Sequence, residues 1–148
     1  MALSLERASR ADRASLIALL GAQLAEHDID LATDRLERAI DGALDDPSRG
    51  AFLVARLDGE TVGVACISYI WTLEHGGRSA WLDELYVLPA HRGGGVGTAL
   101  VRAVIGEAER EGCAAVDLEV ETSHARVEQL YAREGFTRHQ RARWVRPL

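Results

Sequence analysis

The sequence predicts an α/β domain of the α+β kind, and three observations predict it. The apolar period changes from helical to alternating after Pro47, two β-rich runs meet at Asp58-Gly59, and a glycine run separates a later strand from a helix. At 148 residues the chain has the size of one ordinary domain, so residues 1–148 are expected to share one core.

Leu3 to Arg7 form a short strand candidate. Ser9-Arg10-Ala11-Asp12 has the spacing of a capping box and opens a helix carrying Leu16, Leu19, Leu20 and Leu24. Leu36, Ile40 and Leu44 mark a second helix that must stop before Asp46-Pro47, because proline lacks the N–H and its ring clashes with the preceding turn. Ala51–Leu57 and Thr61–Tyr69 are β-rich and joined by the Asp58-Gly59 hairpin signal. After a polar loop from Glu74 to Arg78, Ala80–Leu88 reads as a strand whose alternation fails at the adjacent acids Asp83 and Glu84, which a bulge would accommodate. Gly97–Glu111 has helical spacing at Leu100, Val101, Val104, Ile105 and Ala108, with Gly112 as its C-terminal cap. Ala114–Glu121 alternates, with Val116, Leu118 and Val120 on one face and Asp117, Glu119 and Glu121 on the other. A helix from about His124 to Glu134 ends at Gly135, and Phe136–Val145 is expected to be a last strand.

Composition narrows the chemistry. All 17 basic residues are arginine, so neither a lysine Schiff base nor the phosphate-gripping lysine of a P-loop is available. A net charge of −6 argues against a nucleic-acid partner and favours a cationic or neutral small substrate. No apolar run approaches the roughly 20 residues of a membrane helix, and no basic stretch precedes an apolar signal region, so a cytoplasmic protein without a membrane partner is expected. Cys66 and Cys113 form no C-x-x-C pair, the histidines lack metal-ligand spacing, and no G-x-S-x-G elbow is present. Metal catalysis is not expected.

The most informative stretch runs from Leu85 through Thr98: strand, short loop, glycines, helix. A helix start leaves its first amides unpaired and carries about half a positive charge, so a diphosphate fits where side chains are reduced to glycine. The dinucleotide fingerprint is begun by Gly95-Val96-Gly97 but lacks its third glycine; Asp117, about 20 residues on, keeps a dinucleotide-binding alternative open. Arg92-x-x-Gly95-x-Gly97, after a strand ending Leu85-Tyr86-Val87-x-Pro89, resembles the acyl-CoA pyrophosphate loop of the Gcn5-related N-acetyltransferases. Leu118-Glu119-Val120 and Leu130-Tyr131-x-x-x-Gly135-Phe136 continue the resemblance over nearly the whole chain.

That resemblance implies a mixed sheet flanked by helices and splayed between the strands ending at Val87 and Glu121, with the pantetheine arm of acetyl-CoA in the gap. The expected cofactor contacts are Leu85, Tyr86, Val87, the loop Arg92, Gly93, Gly94, Gly95, Val96, Gly97 and Thr98, and His124, which stands where the family often has asparagine. Tyr131 takes the place of the family's acid, and Glu119 or Glu84 that of its base, with Asp83 beside the substrate. The implied activity is N-acetyl transfer to a primary amine of a cationic small molecule by direct attack. Protein N-terminal acetylation and a non-catalytic acyl-CoA-binding module are the alternatives. A homodimer is compatible with the resemblance.

Overall fold

Helical spacing and alternation sort the chain largely as the sequence predicts. The computed structural model describes residues 2–121 and 125–148, so the His124 expectation lies outside the described residues. The elements are β1 (Leu3–Arg7), α1 (Arg13–Glu26), α2 (Thr33–Asp45), β2 (Gly50–Leu57), β3 (Glu60–Thr72), β4 (Gly77–Val87), α3 (Val96–Arg110), β5 (Val116–Leu118) and α4 (Ala125–Arg133). The capping box forms at the entry to α1: Ser9 N–H donates to Asp12 Oδ2 at 2.9 Å, and Ala11 N–H donates to Ser9 Oγ at 3.3 Å. Arg13 grips Asp41 with two hydrogen bonds of 2.7 and 3.0 Å and so ties α1 to α2. Among the described residues no helix is long and apolar enough to cross a membrane.

The strands form one sheet in the order β1-β2-β3-β4-β5, antiparallel as far as β4; β5 joins in parallel after the α3 crossover. Both faces are covered, which is why β2 reads as a continuous apolar run rather than an alternating one. Phe52 and Val54 pack with Leu16, Leu20 and Ile40 of α1 and α2, whereas Leu53 and Ala55 pack with Leu100, Val101 and Val104 of α3. Each such aliphatic side chain contributes about 1.5–3 kcal/mol on burial. Gly50 begins β2 so close to β3 that a Cβ there would sit 2.1 Å from the Ile67 carbonyl oxygen. Gly50→Ala is therefore expected to cost about 3 kcal/mol, read as a lower urea midpoint at unchanged slope.

The break in alternation at Asp83-Glu84 is a β-bulge. Cys66 faces Glu84 in the β3–β4 register and Ile67 faces Leu82, so Asp83 is the extra residue. Its effect follows from two hydrogen bonds. Ala80 N–H donates outward to Ala115 beside β5 at 3.0 Å, whereas Leu88 N–H donates inward to Val62 on β3 at 2.9 Å. In an unbroken strand these two even-numbered residues would point the same way. With the bulge between them, Leu85 and Val87 take the outward direction. The β4–β5 ladder stops at Leu82 opposite Leu118, so the outward groups of Leu85 and Val87 meet a gap instead of a strand.

Two expectations are corrected. The strand read over Ala114–Glu121 pairs only over Val116–Leu118, and the ladder ends at Leu82, just before the bulge. The segment Phe136–Val145 forms no strand. Its interior, Thr137 to Arg143, is polar apart from Ala142 and carries three arginines, so it has no apolar face to bury. Ion pairs hold it instead, Arg141 to Glu74 at 2.8 Å and Arg143 to Glu119 at 3.1 Å.

Candidate functional site

The glycine run does at the backbone what its residue types suggest. Pro89–His91 form a single 3-10 turn after β4, then Gly93 (φ 81°) and Gly95 (φ 88°) take the left-handed conformation that delivers the chain into α3. The N–H of Arg92 is spent on Pro89 at 3.3 Å, and the next protein bond in the series is Ala99 N–H to Gly95 at 3.0 Å. Among the described residues, the amides from Gly93 through Thr98 thus have no protein acceptor, and they sit at the positive end of a 15-residue helix. No heavy atom lies within 4 Å of where a Cβ on Gly93 or Gly95 would be, so the concavity is open to a ligand.

The open edge of β4 leads up to this loop. Val87 and Leu85 point their N–H groups into the gap, and the Val87 carbonyl accepts from Arg92 Nε at 2.8 Å. Tyr86, grouped with them on sequence, turns the other way: its backbone pairs with Val64, and its ring is buried against α1 below the Arg92 guanidinium. Nor is Arg92 a spare cation for phosphate. Its Nη2 lies 2.8 and 3.0 Å from the two carboxylate oxygens of Glu26, so the loop offers amides and helix dipole rather than a guanidinium.

On the α1–α2 face, a cavity of about 630 Å³ opens between the helices and the sheet. The bulge brings both Asp83 and Glu84 to its wall, although neighbours in a regular strand would face opposite ways. Asp83 is hydrogen-bonded by Ser68 Oγ, and Glu84 by Nε2 of Gln23, which is 6% exposed. Burial, followed by the charge of Asp83, pushes the Glu84 carboxyl above its usual range. Burial likewise raises Asp83, against the opposing pull of Ser68 and Arg143.

Tyr131 approaches from the other side of the gap. It is 8% exposed, and its ring meets Phe136 edge-on at 5.7 Å. α4 rides close over the start of α3, with Leu130 Cδ2 only 3.8 Å from where a Gly97 Cβ would stand. Burial, and then the nearby Glu84 carboxylate, push the Tyr131 phenol up to about 12. The phenol expected as acid therefore feels the charge of one of the two bases expected from sequence.

The three acids expected on one face of the fifth strand are instead dispersed among separate partners. Asp117 meets His75 at 2.8 Å, Glu119 meets Arg143 at 3.1 Å, and Glu121 meets His27 at 3.8 Å. Glu119 still borders the cavity. Of the tryptophans, Trp81 lines it while Trp71 and Trp144 are exposed. Among the described residues no group of His, Cys, Asp and Glu side chains is placed to hold a metal. Sequence reading missed Gln23, Ser68 and His27; Gln23 left a trace, a polar residue on the helix face that carries Leu16, Leu19 and Leu20.

Comparison with known proteins bears on this geometry. The family model described as acetyltransferase (GNAT) family matches residues 15–136. The chain is 32% identical over 97 residues to a streptothricin acetyltransferase of Streptomyces lavendulae, covering 62% of this chain and 47% of that protein. It is 31% identical over 81 residues to a thialysine N-epsilon-acetyltransferase of Mus musculus, covering 49% and 45%. The chain thus spans about half the length of these curated relatives. Its fold matches an integron cassette protein from a salt-marsh metagenome at a TM-score of 0.86, with 25% identity over 97% of this chain and 90% of that one. An aminoglycoside N-acetyltransferase crystallised with CoA shares the fold at a TM-score of 0.85 and 18% identity, over 99% and 95%.

Proposed function

The chain belongs to the acetyltransferase (GNAT) family, and on that premise we propose that it transfers an acetyl group from acetyl-CoA to the primary amine of a cationic small molecule. The observation that carries this reading is the run of acceptor-free amides from Gly93 to Thr98 at the head of the open β4 edge. That run suits a diphosphate, and the outward backbone of Leu85 and Val87 suits an amide-bearing arm in strand-like extension. The relatives named for streptothricin and thialysine support an amine of small-molecule size.

When bound, acetyl-CoA supplies an activated acyl carbon and a sulfur leaving group. The protein's own groups then have separate tasks. Asp83 and Glu84 draw a cationic amine to the cavity wall, and Glu84, with its affinity for protons raised by burial, takes the proton that the amine must lose before it can attack. Gln23 holds the Glu84 carboxylate in place. The Val87 N–H, fixed by the sheet, is the donor for the thioester oxygen; a preorganised donor of this kind is worth about 3 kcal/mol. Tyr131 keeps its proton at neutral pH and presents it to the sulfur. Glu119, already engaged by Arg143, serves the cavity wall rather than the proton transfer.

The test is release of free CoA across a panel of amines. Amine-dependent release supports the transfer. Tight acetyl-CoA binding with no release across the panel would instead identify a binding module, and thermal stabilisation by NAD in preference to acetyl-CoA would overturn the phosphate-loop assignment. Gly95→Ala is expected to weaken acetyl-CoA binding about tenfold, because a side chain disfavours the left-handed conformation that aims the amides; isothermal titration measures it.

A further inference from the structure

The cavity beside Asp83 and Glu84 has a second pole. Arg38 and Arg49 also line it. Arg38 and Gly42 are one turn apart on α2 and share a face. Arg49 Nη1 donates to the Gly42 carbonyl at 3.2 Å and stands 3.3 Å from where a Gly42 Cβ would be. Both arginines thus border the cavity from α2 and the turn that follows it. Arg49 contacts Asp46 at 3.4 Å, whereas Arg38 forms no ion pair among the described residues. Leu20, Leu36, Ile40 and Phe52 add apolar wall, and Glu119 with its partner Arg143 completes the charged lining.

A cavity walled by carboxylates, apolar side chains and arginines does not suit a simple polycation, whose second ammonium would meet the arginines. It suits a molecule with an amine, a short aliphatic stretch and an anion. We infer that the acceptor is a small amino acid, its reacting amine at Asp83 and Glu84 and its carboxylate at Arg38 and Arg49. This rests on the acetyl-transfer reading above and specifies its substrate class. Arg38 and Arg49 are then specificity residues, and the aliphatic spacer sets which amine of a diamino acid reaches the acyl carbon.

The test compares diamino acids with their decarboxylated counterparts: lysine against cadaverine, ornithine against putrescine, and 2,4-diaminobutyrate against 1,3-diaminopropane. The measure is amine-dependent release of CoA by the full chain. At least one diamino acid is expected to exceed its diamine in kcat/KM by about tenfold or more, the worth of a charge-assisted pair. Arg38→Gln is expected to bring that ratio toward one, and Arg38→Glu to invert it; both changes lie on an exposed helix surface and leave the core untouched. Diamines turned over as well as or better than their amino acids would overturn the inference while leaving acetyl transfer to amines intact. So would a ratio that ignores both Arg38 variants. Turnover of neither series, with amines outside both series accepted, would overturn the inference alone. Failure of every amine would sink the transfer reading and this inference with it.

Discussion

Tyr131→Phe is expected to lower kcat by about 100-fold, the scale of one general acid, while acetyl-CoA binds within about threefold of its original affinity. The substitution deletes one oxygen and keeps the ring that packs edge-on against Phe136, so folding and the cofactor loop are spared. The phenol is pushed up to about 12, chiefly by burial and next by the Glu84 charge, which keeps it protonated throughout the assay range. The second contribution has a kinetic use. In the proposed transfer Glu84 loses its charge once it accepts the amine's proton, and Tyr131 becomes a better donor at the moment sulfur needs one. Pre-steady-state measurement of CoA release in the variant is the decisive assay; an unchanged rate removes Tyr131 from the acid role.

Glu84→Gln is expected to cut kcat by about 100-fold and to abolish the acidic limb of its pH dependence. The limb arises because the base works only when ionised, so activity rises as pH climbs through the raised Glu84 value. Stability runs the opposite way. A carboxyl whose folded pKa lies above its unfolded one adds stability that is complete below the unfolded value, near 4.3, and lost as pH rises through the folded value. Above that folded value the ionised Glu84 is a cost to the fold, and its amide should melt there at a higher temperature than the original. A variant that is slower yet no more heat-resistant would argue that Glu84 is solvated and that another group takes the proton. The same measurements on Glu119→Gln, expected to leave the acidic limb in place, separate the two carboxylates.

The sequence made the helices, the hairpin and the glycine loop legible because each rests on local physics: a capping box at Ser9, a Pro47 stop, Asp58-Gly59, and apolar spacing in α3. Even the bulge left a mark in the failed alternation at Asp83-Glu84. Long-range partners left little. Which carboxylate is buried depends on α1 crossing β4, so Gln23 beside Glu84 could not be read from either segment alone. The dispersal of Asp117, Glu119 and Glu121 depends on the loop at His75, the C-terminal segment at Arg143 and the end of α1 at His27. Arg92 showed the limit of residue type as a guide: a cation in a phosphate-loop motif was neutralised by Glu26 from a helix far away in the chain. The missing last strand failed for the opposite reason, since extended spacing was present without a partner edge or an apolar face to fix it.

Asp83, the single supernumerary residue of β4, sets the phase of everything that follows it. It decides which main-chain groups look into the gap beside β5 and, through the same half-turn of the strand, delivers two consecutive acids to the cavity wall. In the proposed transfer, chemistry at the two substrates is thus geared to one insertion. Redesign of acceptor choice has to conserve the residue count between Ala80 and Leu88 even where it replaces every side chain, since deleting one position would swap the outward and inward amides together.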